Sequence, residues 1–177
     1  MKRVLIVIGV LIVIVALVSL AFISLFPRKY LREIDVYAEK YGLPNYLVAS
    51  VINIESRYEI FSKSSAEAMG LMQLKLSTAE DMARGTDIIV DESSIFDKDI
   101  NIELGCKYLQ YLLNMFSGSE INALASYNWG LQNVKEWIAS GNIDKFGDIT
   151  NIPVRETKNY LKKYKVNKFV YRNIYKM

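Results

Sequence analysis

The chain opens with an almost unbroken apolar run over residues 4–26, directly behind Lys2 and Arg3. As a helix this run would be about 34 Å long, enough to cross the hydrocarbon core of a bilayer. A cleaved signal peptide has a shorter apolar core and a small-residue cleavage site, and neither is evident here. We therefore predict an uncleaved membrane anchor over residues 1–27, followed by one domain over residues 28–177.

Beyond Pro27 the apolar residues recur at helical spacing, and no stretch shows the alternation of a half-buried strand. Gly42 is placed to end the first soluble helix and Pro44 to open the second, while Ser77 and Glu80 have the spacing of a capping box. The predicted helices cover residues 30–41, 44–55, 77–84, 101–116, 122–127, 131–139 and 156–166, with loops over 86–99 and up to Pro153. The pattern predicts a mainly α fold.

One apolar stripe carries a carboxylate. Val48, Val51, Ile52 and Glu55 lie at i, i+3, i+4 and i+7 of the predicted second helix, so Glu55 is expected to turn inward. A buried carboxyl without a cationic partner has a raised pKa and can hold the proton that general acid catalysis needs. The stripe alone favours the other interpretation, a helix-end glutamate that turns to water, because glutamate is rarely fully buried.

The composition narrows the possible chemistry. The chain has no histidine, which removes the commonest general base, the commonest metal ligand and the Ser-His triads. Its one cysteine, Cys106, excludes an internal disulfide and a cysteine metal cluster, and we expect it to be a buried apolar residue. Catalysis must use carboxylates, Tyr, Lys, Ser or backbone groups, and we expect no metal and no cofactor.

The charge is unevenly distributed. From residue 155 onward there are eight Lys/Arg against one Glu, whereas residues 28–154 carry twelve Lys/Arg against eighteen Asp/Glu. An acidic domain with a basic tail is not the pattern of a nucleic-acid-binding protein. The tail could touch an anionic membrane or wall polymer, although a solvated helix face is the commoner explanation for such a run.

Four separated motifs occur in one order. They are Glu55-Ser56; Gly70-Leu71-Met72-Gln73; Ala125-Ser126-Tyr127-Asn128 with Gly130; and Ile152-Pro153 followed by Glu156, Thr157 and Tyr160. Further matches are Phe96-Asp97, Asn101-Ile102, Gly105 and Tyr108-Leu109. In this order and spacing the chain resembles the catalytic domain of the soluble lytic transglycosylase (SLT) family, which has a lysozyme-like, goose-type fold. The resemblance covers about residues 30–165.

The resemblance implies a peptidoglycan lytic transglycosylase. Members of the family cleave the β-1,4 bond between N-acetylmuramic acid and N-acetylglucosamine with a single glutamate, here Glu55. The protonated acid donates to the glycosidic oxygen, and the carboxylate then takes the proton of the muramic C6 hydroxyl, which closes onto C1 to give a 1,6-anhydro product. Such enzymes are exceptions to the usual two-carboxylate scheme.

The same match assigns roles to the other motif residues. The expected substrate-binding residues are Ser64, Met72, Gln73, Tyr127, Glu156 and Tyr160, and Ser56, Gly70, Asn128 and Gly130 are expected to shape the site. Met72 would pack beneath the cleft, Tyr127 would contact Glu55 or the N-acetyl group, and Asn128 would hold the turn beneath it. In isolation, Tyr127 and Met72 are more often core residues.

Three residues depart from the family pattern, and one of them is Glu67, at a position often taken by glycine. Lys75 follows Leu74 where Met-Pro is common, and an ion pair with Glu55 would harm the acid role, so we predict that Lys75 points away. Trp129 replaces a small residue and either offers a sugar-stacking face or fills core.

The expected partners are peptidoglycan glycan strands and, through residues 4–26, the membrane; no nucleic acid is expected. Lys2 and Arg3 face Arg28, Lys29 and Arg32 across the apolar run, so the positive-inside rule is ambiguous. The topology follows from the implied function, which places the domain on the extracytoplasmic side of a bacterial cell membrane behind a single span.

Two alternatives stay open. One is a hydrolytic muramidase of the same fold, which would need a second carboxylate to activate water, with Asp97, Asp99 and Glu103 as possible sources. The other is a non-catalytic peptidoglycan-binding scaffold, for which a buried acid has no use.

Overall fold

The computed structural model describes residues 2–143 and 151–177, and these residues are mainly helical. The α-helices described are α1 (Lys2–Leu25), α2 (Leu31–Lys40), α3 (Asn45–Glu55), α4 (Leu76–Ala83), α5 (Lys98–Met115), α6 (Glu120–Trp129), α7 (Leu131–Ala139) and α8 (Arg155–Phe169). A 3-10 turn covers Ser94–Phe96, and a π-helical turn, Val170–Ile174, continues α8. The mainly α fold predicted from the sequence is confirmed.

One small sheet was not predicted. Strands β1 (Ala68–Met69) and β2 (Leu74–Lys75) pair antiparallel around the turn at residues 70–73. Strands of two residues are too short to show alternation, and so no pattern in the sequence indicates them. The predicted capping box of Ser77 and Glu80 is wrong. Helix α4 already begins at Leu76, directly after β2, and no side chain caps its first turn.

Helix α1 is long and apolar enough to cross a membrane, and none of its residues is buried. The predicted loop before Pro153 lies partly outside the described residues.

Two apolar clusters build the described part of the domain. The larger surrounds α3, in which residues 47–53 are all buried, and it includes faces of α2, α5, α6 and α8. The smaller contains the β pair, α4 and Ile95 of the 3-10 turn. Helix α5 lies between them, with Ile102 and Cys106 in the larger cluster and Leu104 in the smaller. Cys106 is fully buried, as expected.

The basic tail is more than a solvated helix face. Helix α8 runs three residues past its predicted end, and its inner side chains, including Tyr164, are buried, as is Tyr171 in the π-helical turn that follows. Antiparallel packing of α8 against α3 brings the end of α3 beside the middle of α8, where Tyr160 lies.

Candidate active site

Glu55 ends α3 on the inward stripe that the sequence predicted. Val48, Val51 and Ile52 have no exposed surface, and Glu55 keeps only a partial opening to a cleft. Burial raises the pKa of this carboxyl from its usual 4.5 to about 7. A hydrogen bond from the Tyr160 hydroxyl to Oε1, 2.8 Å long, and the charge of Lys163 lower the pKa in part, and the charge of Glu156 raises it.

No cation neutralises Glu55 directly. Among the described residues, no Lys or Arg nitrogen comes within 4.0 Å of its carboxylate. Lys163 acts only through its longer-range field. The group can therefore carry a proton at neutral pH and lose it again within the same pH range, which is what a single acid and base requires.

The cleft consists of two cavities that share Glu55, Asn128 and Glu156. The first, of about 580 Å³, lies along α8 and is also lined by Ile54, Asn159, Tyr160 and Lys163. The second, of about 650 Å³, lies between the two apolar clusters, and its lining includes Ser64, Gln73, Lys75, Tyr108, Tyr127 and Trp129. The carboxylate thus lies at the junction, with room for a chain of sugars on both sides.

Three hydrogen bonds hold the turn at residues 70–73 beside Glu55. The carbonyl of Leu71 accepts a hydrogen bond from Ser56 Oγ at 2.8 Å, and the carbonyl of Met72 accepts one from the Tyr127 hydroxyl at 2.7 Å. The carbonyl of Gly70 accepts from Gln73 Nε2 at 2.9 Å. These bonds tie α3 and α6 to one short segment and fix the cleft wall relative to Glu55.

Gly70 and Asn101 complete this support. Gly70 has φ +79°, and a Cβ there would lie 2.2 Å from Asn101 Nδ2, so no other residue fits. Asn101 is fully buried; its Oδ1 accepts from the Met72 N–H at 2.7 Å, and its Nδ2 donates to the Ile95 and Met69 carbonyls. No role for Asn101 is predicted from the sequence, where the only signal is its place in the family pattern.

Of the two tyrosines expected at the site, Tyr160 is the one that forms a hydrogen bond with Glu55. Tyr127 instead donates its hydroxyl to the Met72 carbonyl. Burial, followed by the charge of Glu55, raises the pKa of both hydroxyls far above 10, so both stay protonated. Met72 is fully buried beneath the cleft against Gly105, so its side chain supports the site without facing it.

Besides the two tyrosines, three more of the expected substrate-binding residues line the cleft: Ser64, Gln73 and Glu156. Ser64 Oγ accepts from the Ala68 N–H at 3.1 Å, and its own proton remains available. Gln73 Nε2 donates hydrogen bonds to the Ser62 and Gly70 carbonyls, which leaves Oε1 as the group that can accept one from a sugar hydroxyl.

Asn128 does not hold the turn as expected. Its Oδ1 is buried, accepts no hydrogen bond among the described residues, and lines both cavities. The turn is instead held by Asn133, whose Nδ2 donates to the Trp129 carbonyl at 2.8 Å, and by Gly130 with φ +93°. An unsatisfied oxygen beside Glu55 is an acceptor ready for a ligand N–H or O–H.

The positions of Lys75, Trp129 and the nearby carboxylates show which of them lie at the cleft. Lys75 lines the second cavity but makes no ion pair with Glu55 within the described chain, and Trp129 is 37% exposed there, so it does not fill core. The three carboxylates considered as water activators are engaged elsewhere: Asp97 caps α5, Asp99 pairs with Lys98, and Glu103 pairs with Lys40. The second carboxylate of the cleft is Glu156.

The fold and site define a mainly helical domain with one enclosed, protonatable carboxylate in a long cleft. The Transglycosylase SLT domain family matches residues 32–148. The soluble lytic murein transglycosylase of Escherichia coli K12 is 30% identical over 141 residues, covering 77% of this chain and 22% of that protein. Membrane-bound lytic murein transglycosylase C of Klebsiella pneumoniae is 30% identical over 163 residues, covering 79% of this chain and 45% of that protein.

Solved structures of lytic transglycosylases have the same fold as this chain. A 70-kDa soluble lytic transglycosylase in complex with bulgecin A superposes with a TM-score of 0.78 at 29% identity, covering 85% of this chain and 25% of that one. The lytic transglycosylase Slt of Pseudomonas aeruginosa, solved as an inactive mutant, gives the same TM-score at 26% identity. The chain belongs to the SLT family and has its lysozyme-like fold, and it spans 22% to 45% of the length of the relatives named above.

Proposed function

We propose that this protein is a peptidoglycan lytic transglycosylase that cleaves the β-1,4 bond between N-acetylmuramic acid and N-acetylglucosamine. Protonated Glu55 donates to the bridging oxygen as C1 of the muramic ring gains oxocarbenium character. The carboxylate then takes the proton of the C6 hydroxyl, whose oxygen bonds to C1. The glycan ends in 1,6-anhydromuramic acid, Glu55 is again protonated, and no water is consumed.

The observation that carries this proposal is the state of Glu55. Its pKa of about 7 suits one group that must be an acid in the first half of the reaction and a base in the second. The P. aeruginosa neighbour, inactivated by a glutamate-to-glutamine change, shows that one glutamate is essential in that protein.

The cleft offers groups to orient the substrate. Asn128 Oδ1 lies unpartnered where both cavities meet, and it can accept the N-acetyl N–H of a bound sugar. Ser64 Oγ and Gln73 Oε1 can meet sugar hydroxyls in the second cavity, and the exposed ring of Trp129 can stack on a sugar face. Tyr160 holds Glu55 in place, so it acts on substrate through that carboxylate.

We assign α1 as a single membrane span with the catalytic domain on the extracytoplasmic side, where peptidoglycan lies. Its length and apolar character support this assignment, as does the membrane-bound relative from K. pneumoniae.

Product analysis tests the proposal. Full-length protein in detergent is incubated with purified peptidoglycan beside Glu55→Gln, and the sugar ends are identified by mass spectrometry. We expect 1,6-anhydromuramic ends from the wild type and none from the variant. A folded protein that binds the polymer and releases nothing would indicate the scaffold instead.

One observation favours a second candidate, a hydrolytic muramidase. Glu156 lines both cavities with Glu55 and could activate a water. In that case the products carry reducing-end muramic acid, and Glu156→Gln abolishes their formation as completely as Glu55→Gln does. For the transglycosylase, Glu156→Gln weakens binding and leaves the anhydro product as the end group.

A further inference from the structure

The end of the apolar helix α1 is bonded directly to the catalytic domain. The Tyr171 hydroxyl donates to the Pro27 carbonyl at 2.8 Å, and the Tyr175 hydroxyl donates to the Phe26 carbonyl at 2.9 Å. The ring of Tyr175 also lies 6.0 Å from that of Phe22, one turn further down α1. The C-terminal segment therefore lies at the depth where α1 ends.

A second contact reaches the catalytic helix itself. Asn53 Nδ2 donates to the Leu25 carbonyl at 2.9 Å and to Asn167 Oδ1 at 2.7 Å, so one amide joins α1, α3 and α8. Asn53 precedes Glu55 by two residues. Side-chain reach and helix geometry then place the Glu55 Cα within roughly 12 Å of the Leu25 carbonyl, whatever the tilt of α1.

The surface around this junction has the composition of a membrane interface. We call residues 166–177 the collar. Within it Val166, Phe169 and Ile174 are exposed by 55%, 60% and 50%, while basic side chains stand among them and no acidic residue occurs. Apolar side chains flanked by Lys and Arg, with tyrosines at the same level, are typical of protein that contacts headgroups and acyl chains.

Neighbouring residues extend the positive charge. Arg28, just past the end of α1, stacks over the Tyr175 ring at 5.0 Å, and Arg172 and Lys176 are exposed in the collar. Anionic lipid headgroups attract such clusters. Because the collar is continuous with the end of α1, the lipid surface is the one partner that reaches all of these groups at once.

We propose that the collar docks on the lipid surface around α1 and holds the cleft there, so that the substrate is glycan lying against, or joined to, the membrane. This inference rests on the proposed function and on α1 as a span. The cleft is fixed close to the bilayer, and the enzyme trims strands at a set height above it. A domain on a flexible stalk would reach strands throughout the wall.

The docking is tested by labelling. Cys106 is fully buried, so a fluorophore on Phe169→Cys reports one site, and Ile89→Cys, at a residue 82% exposed in the loop after α4, is the matched control. In vesicles of phosphatidylethanolamine and phosphatidylglycerol with a lipid-borne quencher, we expect strong quenching at position 169 and little at position 89. A label at position 169 that stays in water overturns the proposal.

The fixed height is tested by product length. The substrate is a glycan strand joined by its reducing end to a lipid in the same vesicle, and the length of the stub left on the lipid is measured. A released variant combines a 20-residue Gly/Ser insert after Pro27, with a reach of about 25 Å, with two further pairs of changes. Tyr171→Phe and Tyr175→Ser remove the bonds to Pro27 and Phe26, and Phe169→Ser and Ile174→Ser remove exposed apolar side chains of the collar. The insert alone, with the tyrosines intact, is the control.

We expect short stubs of narrow length from the wild type and from the insert alone, and stubs at least twice as long and more varied from the released variant. Equal stub lengths from all three proteins overturn the proposal. Free oligosaccharide separates this result from the proposed function: all three proteins should cleave it at similar rates, and if none does, it is the proposed function that has failed.

Discussion

Two glutamates beside α8 have opposite states for reasons that can be named. Tyr160 donates a hydrogen bond to Glu55, and Tyr164, one turn later, donates one to Glu120. Burial raises the pKa of both carboxyls. At Glu55 this effect outweighs the hydrogen bond from Tyr160 and the charge of Lys163, so the pKa is raised. At Glu120 the hydrogen bonds from Lys168, Tyr164 and Tyr46 outweigh burial and hold the pKa below its usual value.

The opposite pKa shifts of Glu55 and Glu120 are due chiefly to a lysine. Lys168 forms an ion pair with Glu120, whereas Lys163 stays beyond ion-pair distance from Glu55. A tyrosine alone leaves an enclosed carboxyl able to hold a proton, and a tyrosine with an ammonium group does not. Helix α8 thus supplies the donors both for a structural anion, Glu120, near the start of α3 and for an acid, Glu55, at its end.

The largest effect is expected from Glu55→Gln. Removing the acid should lower the cleavage rate by about 10²- to 10⁴-fold. The pKa of Glu55 is raised in the folded state to about 7, so its stabilising contribution is complete below pH 4.5 and is lost as the pH rises through 7. The neutral amide escapes this loss, and we expect up to about 3 kcal/mol of added stability at pH 8 and none at pH 4, by denaturant titration.

Glu120→Gln is the matched control. Its pKa is lowered in the folded state, so its contribution is present above the unfolded value of 4.5 and disappears in acid. We expect near wild-type cleavage of glycan and a loss of about 1–3 kcal/mol of stability at pH 7, because three donors lose a charged acceptor. Two variants with the same pH dependence of stability would refute the contrast.

A cation placed beside Glu55 should make it resemble Glu120. Asn128 lines both cavities next to Glu55, so Asn128→Lys is expected to lower the pKa of that carboxyl and to move the alkaline limb of kcat/KM to lower pH. The rate at pH 7 should fall about fivefold for a pKa lowered by about one unit from 7, because the protonated fraction drops from about one half to about one eleventh. Asn128→Met introduces a side chain about as long as lysine but uncharged, so it separates the effect of the charge from any loss of substrate binding. In this variant the alkaline limb of kcat/KM should stay in place.

The two tyrosines offer a finer comparison. Tyr160→Phe removes a bond that lowers the pKa of Glu55, so the alkaline limb of the rate profile should move to higher pH. Tyr164→Phe should leave that limb unchanged and cost about 1 kcal/mol of stability through Glu120. The shift of the alkaline limb is measured in pH–rate profiles and the loss of stability in thermal unfolding. An alkaline limb that moves in the Tyr164→Phe variant would contradict the account.

Lys163→Met should give the smallest change. The ammonium group acts on Glu55 only through its field, so its loss should raise the pKa of Glu55 slightly and shift the alkaline limb the same way as Tyr160→Phe. Salt should weaken the difference between wild type and variant, because a partly exposed charge is screened. A shift larger than that of Tyr160→Phe would mean that Lys163 contacts the carboxylate directly.

Periodicity was enough to place α3 and its inward glutamate. The stripe of Val48, Val51 and Ile52 is buried as predicted, and α7 has the predicted bounds. Helix α5 begins three residues early because Asp97 accepts the N–H groups of Asp99 and Ile100, a local cap that the apolar pattern does not reveal.

Contacts between distant parts of the chain were beyond this kind of prediction. Which tyrosine reaches Glu55 depends on how α8 crosses α3, and the bonded pair is 105 residues apart. The bond from Tyr171 to the end of α1 joins residues 144 apart. Spacing along one helix carries no information about such pairs, and so the tail looked like a solvated face.

The protonation state of Glu55 is the central claim, and direct titration tests it. Full-length protein with 13C-labelled glutamate is followed by NMR, and the Glu55 carboxyl signal is assigned by its absence in Glu55→Gln. We expect this signal to titrate near pH 7, while the Glu120 signal remains that of a carboxylate to below pH 4.5. A Glu55 carboxyl that titrates near pH 4.5 would contradict the account.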